Sequence, residues 1–248
     1  MRLRAKFFIK GKIEAKTGLT IGGNDQQEMI GGIDQHVMKD AEGIPYIPGS
    51  SLKGKLRSLL ELKEGKNLCE CGECDICTIF GAPANKRKEE AGPTRFYVRD
   101  AALNEEIKNE MNEREGIFKE LEMTYTESKT ENTIDRKTSE ASNPRTIERV
   151  PAGARFDFEM VFNILQAKDL ERLNMVITAL NMLEDDYLGG SGSRGYGRIQ
   201  FIDLKLGFKT VKEYEANNQI KKLYQGSLEN LKLQDLKEDF RARAGIDL

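Results

Sequence analysis

Four cysteines are the only ones in the chain, and they fall within nine residues: Cys69, Cys71, Cys74 and Cys77. Disulfides across such short loops would be strained. The spacing instead suits chelation of one cation by thiolates. Zinc, tetrahedral and redox-inert, is the natural ion, with an iron–sulfur cluster as the rival. Gly72 and Asp75, interleaved with the cysteines, permit tight turns. The expected role is structural, pinning a loop at about residues 64–92.

Two other segments carry phosphate chemistry. In Ile47-Pro-Gly-Ser-Ser-Leu-Lys-Gly-Lys-Leu-Arg57 a helix begins near Ser50, with Ser50 or Ser51 as its natural N-cap. Lys53 and Arg57 lie four apart on one face. A cation in the first turn opposes the helix dipole, so Lys53 reads as a ligand for an anion rather than as a helix stabiliser. A helix start, two hydroxyls and two cations make a phosphate site, although a solvated charged face has the same composition. Residues 189–197 hold five glycines around Arg194 and Tyr196. Gly190 to Gly195 match G-x-G-x-x-G, but the segment follows a helix and precedes a strand, the reverse of a dinucleotide fold. One role is close backbone approach to a ligand, at Gly192 above all, with Arg194 adding charge and Tyr196 a stacking surface; the other is a tight helix-to-strand turn, which needs only one or two glycines.

These segments need a scaffold, and hydrophobic periodicity supplies one. Residues 2–15 alternate, with Leu3, Ala5, Phe7, Ile9, Ile13 and Ala15 on one side and mostly basic residues on the other, a half-buried strand. Leu52, Leu56, Leu59 and Leu60 form a helical stripe. Residues 94–100 read as a strand with Phe96 and Val98 inward and Arg95, Tyr97 and Arg99 outward. Phe156, Phe158, Met160, Phe162 and Ile164 mark another. Asp169 caps a helix with Leu170, Leu173, Ile177 and Leu180 inward. A strand from Arg198 to Phe208 follows, with its alternation slipping at Phe201–Ile202 in the manner of a bulge. The order is strand–helix–strand twice: a split βαβ, α+β fold of the ferredoxin-like or RRM-like kind. One core domain spans 1–208, with insertions at about 64–92, at 104–122 (charged, helical) and at 124–149. The last of these is polar, without either period, and balances five basic against five acidic side chains. A charged helical extension covers 209–248.

Composition narrows the partners. Net charge is −2, but residues 1–57 carry ten Lys/Arg against six Asp/Glu. Positive charge therefore gathers where the phosphate motif lies, as a local basic groove on an acidic protein requires. The chain has no apolar run long enough to cross a membrane and no signal-peptide pattern at its start, so the expected location is the cytoplasm.

Ile30-Gly-Gly-Ile-Asp34, then Ile47 to Arg57, then Gly189 to Arg198, in this order, resemble RAMP-superfamily proteins. The likeness is closest to the backbone subunit of the type III-A CRISPR (Csm) effector complex. Glu131-Asn-Thr-Ile-Asp-Arg136, Asn143-Pro-Arg145 and Glu148-Arg-Val-Pro151 extend it. The resemblance implies an RRM-like palm whose copies stack as a helical filament along a guide RNA (crRNA), beside other Csm subunits. It implies a thumb hairpin, here about 124–149, that reaches into the guide–target duplex and splays out a nucleotide. It makes Asp34 the catalytic aspartate of a magnesium-dependent endoribonuclease acting on complementary target RNA. It assigns RNA contacts to Ser50, Ser51, Lys53, Arg57, Gly192, Arg194 and Tyr196, and to Lys129, Arg136 and Arg145 of the thumb. Composition alone does not separate Asp34 from Asp25 or Asp40 in the same Gly-rich loop. The sole histidine, His36, lies close enough to share acid–base work. A scaffold without catalysis, a guide-processing nuclease and the equivalent type III-B subunit are the competing readings.

Overall fold

The structure is a computed structural model that describes residues 1–22 and 33–232 together with 234, 236, 238, 240 and 241. Among the described residues the elements are, in chain order, β1 Ala5–Ala15, β2 Tyr46–Ile47, α1 Gly49–Lys63, α2 Asp75–Phe80, β3 Phe96–Val98, β4 Ala101–Leu103, α3 Glu105–Glu113, β5 Glu127–Ile134, β6 Ala141–Arg149, β7 Arg155–Ile164, α4 Asp169–Asp185, β8 Ile199–Thr210, α5 Val211–Glu215 and β9 Lys221–Gly226. The main sheet runs β2-β4-β7-β1-β8-β9, with β3 also on β7. Every pairing in it is antiparallel. Taking β3 and β4 as one interrupted strand, the order is that of the ferredoxin-like fold.

The alternation in β1 buries Phe7, Ile9 and Ile13 on one face, against Leu52, Leu56 and Leu60 of α1 and Leu173, Ile177 and Leu180 of α4. The aromatic rings of Phe80, Phe96 and Phe162 extend this core toward α2. The opposite face of the sheet carries Lys6, Lys10 and Lys12. Phe240, near the C-terminus, seals the helical side by packing edge-on to Phe208, 4.9 Å between centroids.

Several expectations need correction. The helix at Gly49 begins after Pro48, and neither serine caps it; the Gly49 N–H donates instead to Asp100 Oδ1 at 2.7 Å. Pro48 fixes the entry, leaving both serines within the first turn. Arg95 is not outward but fully buried, because Asp169 lies beneath it at 3.1 Å. The bulge sits later than the slip in pattern: Lys10 opposes Lys205 and Lys12 opposes Ile202, with Asp203 at φ 53° taking up the extra length opposite Gly11. Residues 124–149, which show no period, contain the β5–β6 hairpin. A two-stranded ribbon with both faces largely in water has no buried side to impose alternation. The extension after 208 is not wholly helical, since Lys221–Gly226 adds to the sheet as β9; the described residues from 234 onward are helical.

The Arg95–Asp169 pair makes a stability prediction. Asp169 also accepts the Leu165 and Gln166 N–H groups and Arg172 Nη1, so it ties β3, the end of β7 and α4 together. Breaking a buried pair strands the remaining charge, a loss of about 3–5 kcal/mol. Asp169→Ala is expected to lower unfolding free energy by that amount in urea titrations at neutral pH.

Candidate functional site

Asp34 lies far from the thumb in sequence, yet the fold sets it against the hairpin. Its N–H donates to the Thr146 carbonyl at 2.9 Å, and its Oδ2 accepts the Thr146 N–H at 2.6 Å. Gln35 continues as a parallel bridge to Ile147, and the Glu148 N–H donates to the Gln35 carbonyl at 2.9 Å. Asp34 and Gln35 thus lie along β6 through an isolated parallel bridge. Asp34 is exposed, and its second oxygen, Oδ1, has no hydrogen-bond partner among the described residues. Ile30, Gly31 and Gly32 of its motif lie outside the described residues.

Glu148 secures this arrangement. Its side chain is 0% exposed and accepts from Lys39 Nζ at 2.5 Å, Thr126 Oγ1 at 2.7 Å and the Val37 N–H at 3.1 Å. His36 Nδ1 lies 3.2 Å away, so this ring is turned toward Glu148. Burial alone would raise the Glu148 carboxyl; the Lys39, Thr126 and Val37 donors outweigh it and hold the group below its ordinary value of 4.5. Sequence reasoning quoted Glu148 only within a matching segment. The signal for its role is a lone acid between Ile147 and Val150 at the inward register of an otherwise polar strand.

The glycine segment joins the thumb to α1. A Cβ on Gly192 would fall 2.0 Å from the Tyr187 ring, whose centroid lies 3.7 Å from Lys55 Nζ of α1. The Gly190 N–H donates to the Thr20 carbonyl, and the Gly197 N–H to the Gly18 carbonyl, at 2.8 and 2.9 Å. Arg194 Nε pairs with Glu131 Oε2 of the hairpin at 3.1 Å. Tyr196 was expected to offer a stacking surface. It is 2% exposed, with Lys129 Nζ 4.8 Å and Arg149 Cζ 5.2 Å from its centroid, and it anchors the hairpin root instead. Arg136 and Arg145 lie exposed on the outer hairpin.

Lys53 and Arg57 part company. Lys53 is half-buried and has no anionic partner among the described residues; burial, then the neighbouring Arg57 charge, lower its pKa. Ser50 and Ser51 stand beside it without side-chain hydrogen bonds among the described residues. Arg57, by contrast, is already engaged, giving Nε to Glu61 at 2.8 Å, Nη1 to the Gly81 carbonyl at 2.9 Å and Nη2 to the Cys69 carbonyl. Its guanidinium clamps the cysteine loop at both ends.

In that loop the four sulfurs converge. Cys69 Sγ lies 3.6, 3.5 and 3.9 Å from those of Cys71, Cys74 and Cys77, and Cys71 and Cys77 are 3.9 Å apart. Thiolates about 2.3 Å from one tetrahedral ion are separated by about 3.8 Å, so the geometry fits a single ion. A polynuclear cluster would interpose several atoms and spread them. The Glu73 and Cys74 N–H groups bring Cys71 down to about 6, while burial pushes Cys77 up to about 12. Gly72, at φ 79°, lies against the Lys86 carbonyl, where a Cβ would stand 1.8 Å away; no other residue allows that turn.

A model of the family described as RAMP superfamily matches residues 12–200. The chain belongs to the RAMP superfamily. Among relatives, this RAMP protein is 46% identical over 90% of its length to "CRISPR system Cms endoribonuclease Csm3" of Methanocaldococcus jannaschii, covering 89% of that protein. The Streptococcus thermophilus protein of the same name is 42% identical over 81% of this chain and 89% of its own. A solved structure described as "Crystal structure of Csm3-Csm4 subcomplex in the type III-A CRISPR-Cas interference complex" superposes with a TM-score of 0.65, at 36% identity, covering 96% of this chain and 98% of that one. Among the described residues, no helix is long and apolar enough to cross a membrane.

Two outcomes follow. Because the folded Glu148 value lies below 4.5, its stabilisation is complete above 4.5 and lost as pH falls through the lowered value. Denaturant titrations from pH 7 to 3 are expected to show this acid-side loss, and Glu148→Gln to flatten it while weakening the protein at neutral pH by about 3–5 kcal/mol. At the cysteines, a strong chelator is expected to lower Tm and release one metal ion per chain, read by a colorimetric indicator; Cys77→Ser is expected to retain less than one.

Proposed function

We propose that this chain is a guide-RNA-binding backbone subunit of a cytoplasmic type III-A CRISPR effector complex and a divalent-metal-dependent endoribonuclease that cuts complementary target RNA with Asp34. The relatives' shared name and the Csm3-Csm4 neighbour support the assembly and the reaction class. One observation carries the assignment of the residue: Asp34 is fixed to the thumb strand through Thr146, with its other carboxylate oxygen unpartnered among the described residues. A thumb that splays the target backbone therefore carries this carboxylate with it.

Cleavage beside a 2′-hydroxyl needs that oxygen deprotonated and held in line with phosphorus. The thumb supplies the alignment. Asp34 Oδ1 supplies a basic oxygen, while Oδ2 is occupied by the Thr146 N–H. A bound magnesium would neutralise charge developing on the phosphate, and a single exposed carboxylate is the kind of protein ligand it uses beside phosphate oxygens. His36 is drawn toward Glu148, so its part is to hold the loop.

Guide backbone phosphate sits at the start of α1, between Lys53 and the Ser50 and Ser51 hydroxyls, with the Gly192 loop alongside. Lys129, Arg194, Arg136 and Arg145 line the thumb side, Arg194 exchanging Glu131 for phosphate. A zinc ion held by Cys69, Cys71, Cys74 and Cys77 stiffens the loop that Arg57 grips. Other copies of the chain continue the filament along the guide, and further Csm subunits flank it.

The test is target-RNA cleavage by the assembled complex with magnesium. Asp34→Ala is expected to lower the cleavage rate by at least about 100-fold, the scale of one acid–base group, with target affinity unchanged. Equal cleavage by both proteins would make this chain a scaffold at that position.

A further inference from the structure

The helices cover one face of the sheet, and the other face has a pattern that the guide site does not use. Tyr97 pairs with Val161, Val161 with Phe8, and Phe8 with Gly207 across four adjacent strands. Directly opposed residues point to the same side, so these form one row across the helix-free face. Tyr97 is 47% exposed and Phe8 partly so. A Cβ on Gly207 would meet Ile220 Cγ2 at 2.7 Å, which places Ile220 at the row's far end. The result is an apolar strip, open at Tyr97 and Phe8 and closed at Val161 between them, which is buried.

Cations flank the strip on both sides. One neighbouring row holds Lys6 between Asn163 and Lys209. The other holds Lys10 between Glu159 and Lys205, with Arg99 beyond Glu159. Glu159 is the only acid in these two rows and is claimed by both Lys10 and Arg99. Lys6 and Lys205 have no acidic partner among the described residues. Lys209 Nζ lies 4.3 Å from the ring centroid of Tyr214, itself 41% exposed. Beside the strip a groove of about 520 Å³ opens at Lys10, Lys12, Lys205 and Gln225, with Asp157 and Asp203 also in its lining and Asp203 3.6 Å from Lys12 Nζ; its volume is within the roughly 300–1,000 Å³ of ligand pockets.

We infer that this face is a track for unpaired RNA, separate from the site at α1, the glycine loop and the thumb; RNA as the partner rests on the proposed function. Aromatic rings between rows of cations are what single strands require: stacking for bases of any identity and charge for the backbone. A duplex hides its base faces and gains nothing from Tyr97. A protein partner would have to bring an acidic rim, whereas RNA brings phosphate along its whole length. The occupant is therefore a single-stranded stretch running beyond the guide–target duplex.

The test uses the full chain and fluorescent oligouridylate, which has no structure to compete. Tyr97→Ala is expected to weaken its binding about 5- to 150-fold, the range for losing one stacked base, and Lys6→Ala with Lys205→Ala to reduce the salt dependence. Both leave Tm unchanged, because these side chains are exposed or partly so. Ultraviolet cross-links are expected in peptides containing Phe8 and Tyr97. Unchanged affinity in both variants, or cross-links confined to α1 and the thumb, overturns the inference. So does a change in self-association without RNA, which would make the strip a contact between copies. Guide-RNA binding measured in parallel, with Lys53→Ala as its control, separates the two readings: loss of oligouridylate binding alone by the wild type defeats the track, and loss of both defeats the proposed function as well.

Discussion

A buried carboxylate on the thumb strand holds the candidate catalytic loop in place. Glu148 receives Lys39, Val37 and His36 from a segment more than a hundred positions away in the chain, and Thr126 from the thumb's other root. A charge in the interior is tolerated only when it is paired and hydrogen-bonded, and here each partner is a piece of the site. The constraint is reciprocal. Without the loop the thumb root would expose an unpaired acid, and without the acid the loop would have only the edge of β6 to hold it.

From that point the site extends by contact. Thr20 Oγ1 donates to the Glu148 carbonyl, and the Thr20 carbonyl receives the Gly190 N–H. The glycine segment packs on Tyr187, and Tyr187 on Lys55 of α1. Farther along α1, Arg57 and Glu61 grip the cysteine loop, Glu61 accepting the Cys69 N–H at 3.2 Å. Helix, glycine turn, loop and hairpin therefore behave as one unit. Lys53 and Asp34 stand on elements connected through backbone hydrogen bonds and through the packed side chains of Glu148, Thr20, Tyr187 and Lys55. Such rigidity is what positioning of a scissile bond demands.

Much of this was legible in the residues. The alternation of β1, β7 and β8 and the leucine stripe of α1 define the sheet and its helices, because burial on one face imposes a period. The cysteine spacing defines a chelate because sulfur geometry is local. The thumb was not legible as a hairpin from its own pattern: solvent on both sides imposes no period, and only the resemblance located it. The partners of Arg57 and Tyr196 were not legible for a related reason. Their types suit RNA, but whether a guanidinium or a ring is free depends on neighbours distant in sequence, Cys69 and Gly81 for one, Lys129 and Arg149 for the other. Arg95 follows the same rule, its outward register overridden by Asp169. Asp34 itself carried no local distinction from Asp25 or Asp40; its pairing with Thr146 is what gives it one.

The account's central claim is that the thumb backbone holds Asp34, and Thr146 permits a direct test. Both its N–H and its carbonyl face Asp34, so replacing it with proline removes the donor to the carboxylate without removing a backbone bond to β5; the hydroxyl contact with Thr130 Oγ1 at 3.2 Å is lost as well, and Thr146→Val is the control for it. The measurement is single-turnover target cleavage by complexes containing Thr146→Pro, with target binding followed alongside. The account predicts intact binding and cleavage slowed by at least about 10-fold, as expected when a reacting group is misplaced by a fraction of an ångström to an ångström. Cleavage at the wild-type rate would contradict it and would mean that Asp34 is positioned by something other than the thumb strand.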